Sequence, residues 1–347
     1  MFRYVVPLLA ILASAACTSL PPVRLADSTS PPPGPIIERD SLSGRALTTI
    51  DVLSFNVEGL AWPARHGRAP SLAQIGKILA TLNSQGKAPD IILVQEMFSP
   101  AAVRALTNAG YPYHAWGPTR TQGRQSSSHD RVKGPKRWGK GEIGLHLVGS
   151  GLAIFSRYPI VAASSEPFGT QHCAGFDCLS NKGAQHARIR VPGVPTPLDL
   201  FNTHLNSQAA SRVPPARHGT AQALQLVDIA DFLATQAAEH TSAIVGGDFN
   251  MAGTPDRLAR LEQTLGRYTM VHRFCAAAGS PCHVGLSWDG DAPWEDTEDL
   301  QLYRSSANLV LTPIRIEAMF DGAVGQPRLS DHDGLLVTYQ LDWPAPL

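Results

Sequence analysis

A chain of 347 residues with 43% hydrophobic content is long enough for one large domain or two ordinary ones and apolar enough for a sizeable core, so it is a globular protein. Lysine plus arginine and aspartate plus glutamate each number 29, giving a formal charge of zero. No global positive field therefore draws nucleic acid from a distance, and a polyanionic substrate needs local contacts.

At the N-terminus, Arg3, the apolar run Tyr4 to Ala13 and the small residues Ser14-Ala15-Ala16 read as an export signal, which removes residues 1–16 from the fold. Cys17 directly after those small residues resembles a bacterial lipoprotein signal, implying acylation of Cys17, although Ser14 stands where leucine is usual. Thr18 and Ser19 follow without an aspartate, which favours an outer-membrane lipoprotein facing the periplasm or exterior; a periplasmic or secreted protein is the alternative. The other cysteines form two close pairs, Cys173 with Cys178 and Cys275 with Cys282, expected as disulfides in an oxidising compartment. Neither pair has the tight CxxC spacing of a zinc knuckle.

Residues 17–46 hold the anchor cysteine and a stretch rich in Pro, Ser and charge that reads as a disordered tether. The folded domain is expected over 47–347. Ile50 to Phe55 reads as a strand, Leu72 to Leu82 as a helix and Ile91 to Val94 as a buried strand. Leu152 to Phe155, Leu198 to Phe201, Ile244-Val245 and Leu335 to Thr338 are further strands, and Ala221 to Thr235 is a helix between two of them. No repeat, no membrane span after residue 16 and no dividing linker is evident, so one α/β domain is expected.

Two segments stand apart. Residues 119–142 carry seven basic residues against Asp130 and Glu142, and read either as a solvated surface loop or as a mobile flap that meets phosphate. Residues 289–299 are acidic, from Asp289 to Glu298 and Asp299, without EF-hand spacing, which reads as a solvated loop.

The chemistry-bearing residues sit at strand ends. Asn56, Glu96, His204 with Asn206, Asp248 with Asn250, and Asp331-His332 each close or precede one of the expected strands. Strands converging on one sheet edge hold such side chains with little positional freedom, which is what a preorganised site needs.

The ordered motifs Ser54-Phe55-Asn56, Val94-Gln95-Glu96, Gly151 to Ile160, Asn202-Thr203-His204-Leu205, Gly247-Asp248-Phe249-Asn250 and Ser330-Asp331-His332 resemble those of the endonuclease/exonuclease/phosphatase superfamily. The resemblance implies an α/β four-layer sandwich, two mixed β-sheets packed face to face with helices on the outer faces. It implies a Mg²⁺-dependent (alternatively Mn²⁺-dependent) phosphoric ester hydrolase, with the metal held by Glu96 helped by Asn56 and Asp331. His204 and Asn250 would contact the scissile phosphate, Asp248 would orient or deprotonate water, and His332 would be the other acid/base group, its imidazole held by Asp299.

Gly149-Ser150-Gly151, Asn181-Lys182-Gly183 and Asp299 shortly before Tyr303-Arg304 are similar to the neutral sphingomyelinase-like branch, which adds Lys182 and Asn206 as candidate phosphate contacts. Asn206 stands where that branch more often has Gln, Gln301 interrupts a strand expected to be apolar, and no hydrophobic hairpin is evident. A lipid or small phosphodiester is thus the favoured substrate, with no protein partner implied. An extracellular nuclease on the same core and a catalytically silent binding protein are the alternatives.

Overall fold

The computed structural model describes residues 20–26, 34–40, 42–61, 64–125, 130–237, 240–285, 298–322 and 328–344. Within them the strands assemble into two sheets. The larger contains β1 (Glu38–Asp40), β2 (Arg45–Asn56), β3 (Ile91–Gln95), β4 (Tyr113–Trp116), β5 (Ala153–Ser156), β11 (His283–Val284), β13 (Val310–Met319) and β14 (Gly334–Pro344). The smaller contains β6 (Ile160–Pro167), β7 (Gly183–Ile189), β8 (Leu198–His204), β9 (Ala243–Asp248), β10 (Thr269–Met270) and β12 (Asp299–Arg304). Both are mixed: β2 runs parallel to β3 and β8 parallel to β9, while β14 on β2 and β12 on β9 are antiparallel.

Layering follows from which side chains are apolar on each face. Ile50, Val52, Ile91 and Leu93 of the larger sheet meet Leu198, Leu200 and Ile244 of the smaller in one core between the sheets. On the outer face of the larger sheet, Leu53, Phe55, Ile92 and Val94 pack against α1 (Arg68–Ser84) and α2 (Pro100–Thr107). On the outer face of the smaller, Phe201 and Val245 pack against α3 (Pro215–Gln236) and α4 (Pro255–Thr264). A short helix α5 (Val271–Ala276) follows β10. The result is the expected four-layer sandwich. Strands β3, β8 and β9 are buried along their whole length, and β3 accordingly reads as a continuous apolar run rather than an alternating one.

The helices obey their local signals. In α1 the buried residues Leu72, Ile75, Gly76 and Leu79 recur at helical spacing. In α2, Pro100 sits in the first turn and the Ser99 side chain accepts from the Ala102 N–H, meeting one of the orphan donors of a helix start.

Two polar residues inside the sandwich have a physical role. Gln301, the residue that broke the apolar pattern of β12, is fully buried and donates from Nε2 to the carbonyls of Val52 and Leu335 while its Oε1 accepts from the Tyr339 hydroxyl. Asn202 does the same from β8, donating to the carbonyls of Val94 and Ala153. Each therefore hydrogen-bonds one sheet to the other across an otherwise apolar core.

The tether expected over 17–46 is bound to the domain where it is described. Arg24 exchanges both backbone hydrogen bonds with His114, Trp116 Nε1 donates to the Pro21 carbonyl at 2.6 Å, and β1 pairs with β2. The exposed edge of β4 offers unpaired backbone groups, and the proline-rich strand takes them. Both disulfides are formed, Cys173–Cys178 and Cys275–Cys282. The export signal, Cys17 and most of the acidic segment lie outside the described residues. Among those described, no helix is long and apolar enough to cross a membrane.

Candidate active site

Strand register brings the expected residues to one rim. His204 at the end of β8 is paired with Asp248 at the end of β9, and Asp248 in turn with Asp299 at the start of β12, so three ionisable side chains form a row across the smaller sheet. Facing them, Asn56 ends β2 beside Gln95 of β3, and Glu96 follows. The row and its opposite bank are joined by a hydrogen bond from Asn56 Nδ2 to Asp248 Oδ2 at 3.0 Å.

The backbone is strained where it delivers these groups. Among the described residues, Glu58, Glu96 and Asn250 are three of the five non-glycine residues with positive φ, at 47°, 59° and 51°. That region costs a non-glycine residue roughly 1–3 kcal/mol, and surrounding contacts must over-determine it. For Asn250 they do: its N–H and Nδ2 both donate to Asp248 Oδ1 at 2.9 Å, and Nδ2 also reaches the Leu205 carbonyl. Gly247 has φ 148°, and a Cβ there would lie 2.1 Å from the Thr203 carbonyl oxygen, so only glycine lets β9 approach β8 at this point.

His332 lies in the turn before β14, where Ser330 Oγ donates to the Asn56 carbonyl and accepts from the His332 N–H. Its Nδ1 is 2.8 Å from Asp299 Oδ2, and its Nε2 is 3.8 Å from both Asp248 and Glu298. Burial opposes its charge, but Asp248, Asp299 and Asp331 outweigh burial and raise the imidazole to about 11, so it is an imidazolium at neutral pH. Burial raises Asp248 to about 6 and Asp299 above the ordinary range, each opposed by His332. Burial also pushes Glu96 up to about 7, partly offset by Lys182 and by an Asn56 hydrogen bond.

Lys182 is buried, ion-paired with Asp177, and places Nζ 3.0 Å from His204 Nε2 and 2.8 Å from the Leu205 carbonyl. His204 is held well below the ordinary histidine range by burial, then by Lys182 and His332, so it is a neutral imidazole. Nε2 also lies 3.2 Å from Asp248 Oδ2, while Nδ1 is buried without a hydrogen-bond partner among the described residues. One neutral ring nitrogen can accept from Lys182 or donate to Asp248, not both.

Three expected contacts differ, the first being Asn250, which spends both Nδ2 hydrogens on Asp248 and the Leu205 carbonyl instead of offering one to phosphate. Asn206 gives its Oδ1 to the Ala174 N–H and both Nδ2 hydrogens to Asp177 Oδ2 and the Ser207 carbonyl. It has no donor left for phosphate and instead ties the disulfide loop to β8. Asp331 is exposed, its carboxylate paired with Arg65 at 2.9 Å and its N–H donating to Glu58. Sequence reasoning missed Glu58, Arg65, Asp177 and Glu298. Glu298 was assigned to the solvated acidic segment, yet it is half-buried with its carboxyl raised by burial and then by Asp248. Its position beside Asp299 was the available signal; Asp177 had only its place five residues before Lys182.

The donor set suits a hard divalent cation. Burial raises the carboxyls of Glu96, Asp248, Glu298 and Asp299, so ionising them together is costly unless a further cation joins Lys182 and His332. Ligand atoms of Asp248, Glu298 and His332 come within 4.8 Å of one another. Across from them, Glu96 and Asn56 form a second bank of oxygens, joined to the first by the Asn56–Asp248 hydrogen bond.

Two packed mixed sheets with an acid- and histidine-lined rim define a class of α/β sandwich proteins with a site at one sheet edge. The sequence profile of the Endonuclease/Exonuclease/phosphatase family matches residues 53–332, and the chain belongs to that family. It is 26% identical to a sphingomyelinase of Dictyostelium discoideum over 194 residues, 47% of this chain but 37% of that protein, so it spans little more than a third of that relative. Among solved structures it resembles a beta toxin double mutant from Staphylococcus aureus with bound magnesium ions, at TM-score 0.56 and 20% identity, covering 84% of this chain and 99% of that one. It also resembles D. rerio TDP2 complexed with a single-strand DNA product, at TM-score 0.54 and 16% identity, covering 84% and 98%.

Proposed function

We propose that the chain is an exported, divalent-metal-dependent phosphodiesterase acting on a lipid headgroup or a small phosphodiester. The observation that carries the reading is the Asp248 carboxylate, which accepts from Asn56, faces neutral His204 at 3.2 Å and faces protonated His332 at 3.8 Å. A carboxylate between a neutral and a charged imidazole offers a base and charge stabilisation for displacement at an anionic phosphorus. Asp248 and His332 stand side by side, so Asp248 orients or deprotonates the attacking water while His332, held by Asp299, supplies positive charge beside it. Lys182 and His204 face the nonbridging oxygens, while Asn250, whose Nδ2 hydrogens go to Asp248 and the Leu205 carbonyl, holds Asp248 in place.

Glu96 and Asn56 would hold Mg²⁺, or Mn²⁺, with Asp331 at the exposed side. Bound there, the cation neutralises charge developing on the phosphoryl and leaving oxygens. Export is supported by two disulfides and the N-terminal sequence, and an acyl anchor on Cys17 would hold the enzyme at a membrane. The nuclease alternative has one observation in its favour, the exposed basic residues of 131–140.

The test is a hydrolysis screen of the exported protein with Mg²⁺ against sphingomyelin, phosphoinositides, DNA, RNA and simple phosphodiesters. Turnover of a lipid or simple diester above nucleic acid supports the reading. Preference for nucleic acid replaces it with the nuclease, and activity undiminished by excess chelator removes the metal.

A further inference from the structure

Residues 131–142 of the basic segment are largely solvent-exposed yet pinned to the domain at several points. Glu142 is buried and accepts from the Arg137 N–H at 2.7 Å, from the Gly175 N–H at 2.9 Å and from Nε and Nη2 of Arg217 on α3. Arg217 also donates to the Lys133 carbonyl, and Leu147 donates to the Leu179 carbonyl. A loop fixed at these points is held in shape, and its own acid is consumed internally.

What the fixed loop presents outward is unusual. Trp138 is 65% exposed and Leu145 66%, and Arg131, Lys133, Lys136, Arg137 and Lys140 are all exposed. Lys136 Nζ lies 5.9 Å from the Trp138 ring centroid and 3.6 Å from where a Cβ on Gly144 would stand, which brings Trp138 and the 144–145 turn together under one ammonium. Tryptophan and leucine at the tip of a rigid basic loop have an apolar body with no core to enter, ringed by cations that would meet anions at the same depth.

We propose that residues 131–145 form a docking surface for an anionic lipid bilayer, with Trp138 and Leu145 entering the interface and the lysines and arginines meeting lipid phosphates. The chemistry favours a bilayer over nucleic acid because Leu145 has no stacking role, whereas an interfacial segment uses aliphatic, aromatic and basic groups together. The placement agrees. The loop is braced on the turn Gly175–Leu179, whose Asp177 holds Lys182 against His204, so a docked bilayer lies beside the candidate active site. Next to it, a cavity of about 420 Å³ is lined by Met97 and Phe98, which follow Glu96, together with Arg120, Leu147 and Leu20.

The inference rests on the lipid-headgroup reading for its purpose but not for its test, which is run on the full chain with metal chelated. Tryptophan fluorescence is read against phosphatidylcholine vesicles with brominated acyl chains, with and without phosphatidylglycerol. The wild type should show quenching in the anionic vesicles that Trp138→Phe lacks, whatever the N-terminus contributes to attachment. Lys136→Glu with Lys140→Glu should lower partitioning about tenfold or more, and Leu145→Ser should weaken it in the same direction. All these side chains are exposed, so folding is not at issue. Equal quenching of wild type and Trp138→Phe, or partitioning unmoved by the charge reversals, overturns the proposal. Binding of a short DNA duplex lost in the charge-reversed variant, with vesicle partitioning intact, overturns it in favour of nucleic acid. A wild type that hydrolyses a soluble phosphodiester but does not dock on the anionic vesicles sinks this inference alone; docking without hydrolysis of any diester sinks the enzymatic reading alone.

Discussion

Nδ1 of His332 lies 2.8 Å from Oδ2 of Asp299, a contact that ties the turn before β14 to the first residue of β12 and leaves Nε2 facing Asp248. The pair should act as one unit. His332→Ala is expected to lower the chemical step by about a hundredfold or more. Asp299→Asn should give a smaller loss, since an amide still orients the ring but no longer stabilises its charge. Single-turnover rates should show the double variant little slower than His332→Ala; losses that multiply would mean the two act independently.

Glu96→Gln should weaken metal binding most among single substitutions at the rim, because it removes an anionic oxygen from the bank shared with Asn56. Calorimetric titration of Mg²⁺ into wild type and variant is the measurement. Chelation should abolish activity and excess Mg²⁺ restore it. An unchanged affinity in the variant would move the cation to the cluster of Asp248 and Glu298.

Cys173→Ser with Cys178→Ser should reduce activity more than it reduces stability. The closed loop is short, with a sequence separation of 5, so its chain-entropy contribution is only about 2 kcal/mol. It carries Asp177, however, which holds Lys182. Denaturant melts and kcat on one substrate separate the effects, and an unaltered kcat would detach the loop from catalysis.

Asp199 makes stability depend on acid. Burial would raise its carboxyl, but hydrogen bonds from His186, Arg188 and Thr241 lower it to about 2. Because the folded value lies below the unfolded one near 3.8, the stabilisation is present above about pH 4 and is lost as pH falls toward 2. It amounts to about 2 kcal/mol at neutral pH. Asp199→Asn should therefore melt below wild type at pH 7, with the gap closing toward pH 2. A gap that stays constant with pH would show that packing, rather than ionisation, carries the effect.

Gln301→Leu should destabilise despite adding an apolar side chain to an apolar core. It removes a second hydrogen bond from the Val52 and Leu335 carbonyls, which keep their sheet partners, and takes the acceptor from the buried Tyr339 hydroxyl, a loss worth about 1–3 kcal/mol. Urea unfolding is the check, and a variant as stable as wild type would show that water or side-chain shifts satisfy those groups.

The sequence by itself determined the strands and the residues at their ends. Apolar runs such as Ile91 to Val94 betray a strand buried on both faces, and Asn56, Glu96, His204, Asp248 and His332 are legible because strands end in them. The local cysteine pairs were legible too, since five or seven residues of chain can close only a small loop. What only the tertiary structure decided were relations between distant segments. Sequence spacing cannot tell that Asn206 spends its amide on the disulfide loop, that Asp331 meets Arg65, or that Gln301 bonds the two sheets together. A polar side chain has several possible partners, and the partner is selected by which strands the hydrophobic core brings face to face. Burial follows the same rule: Glu298 reads as one more acid in a solvated run, and becomes a site residue because packing places it beside Asp248 and His332, where its charge is costly.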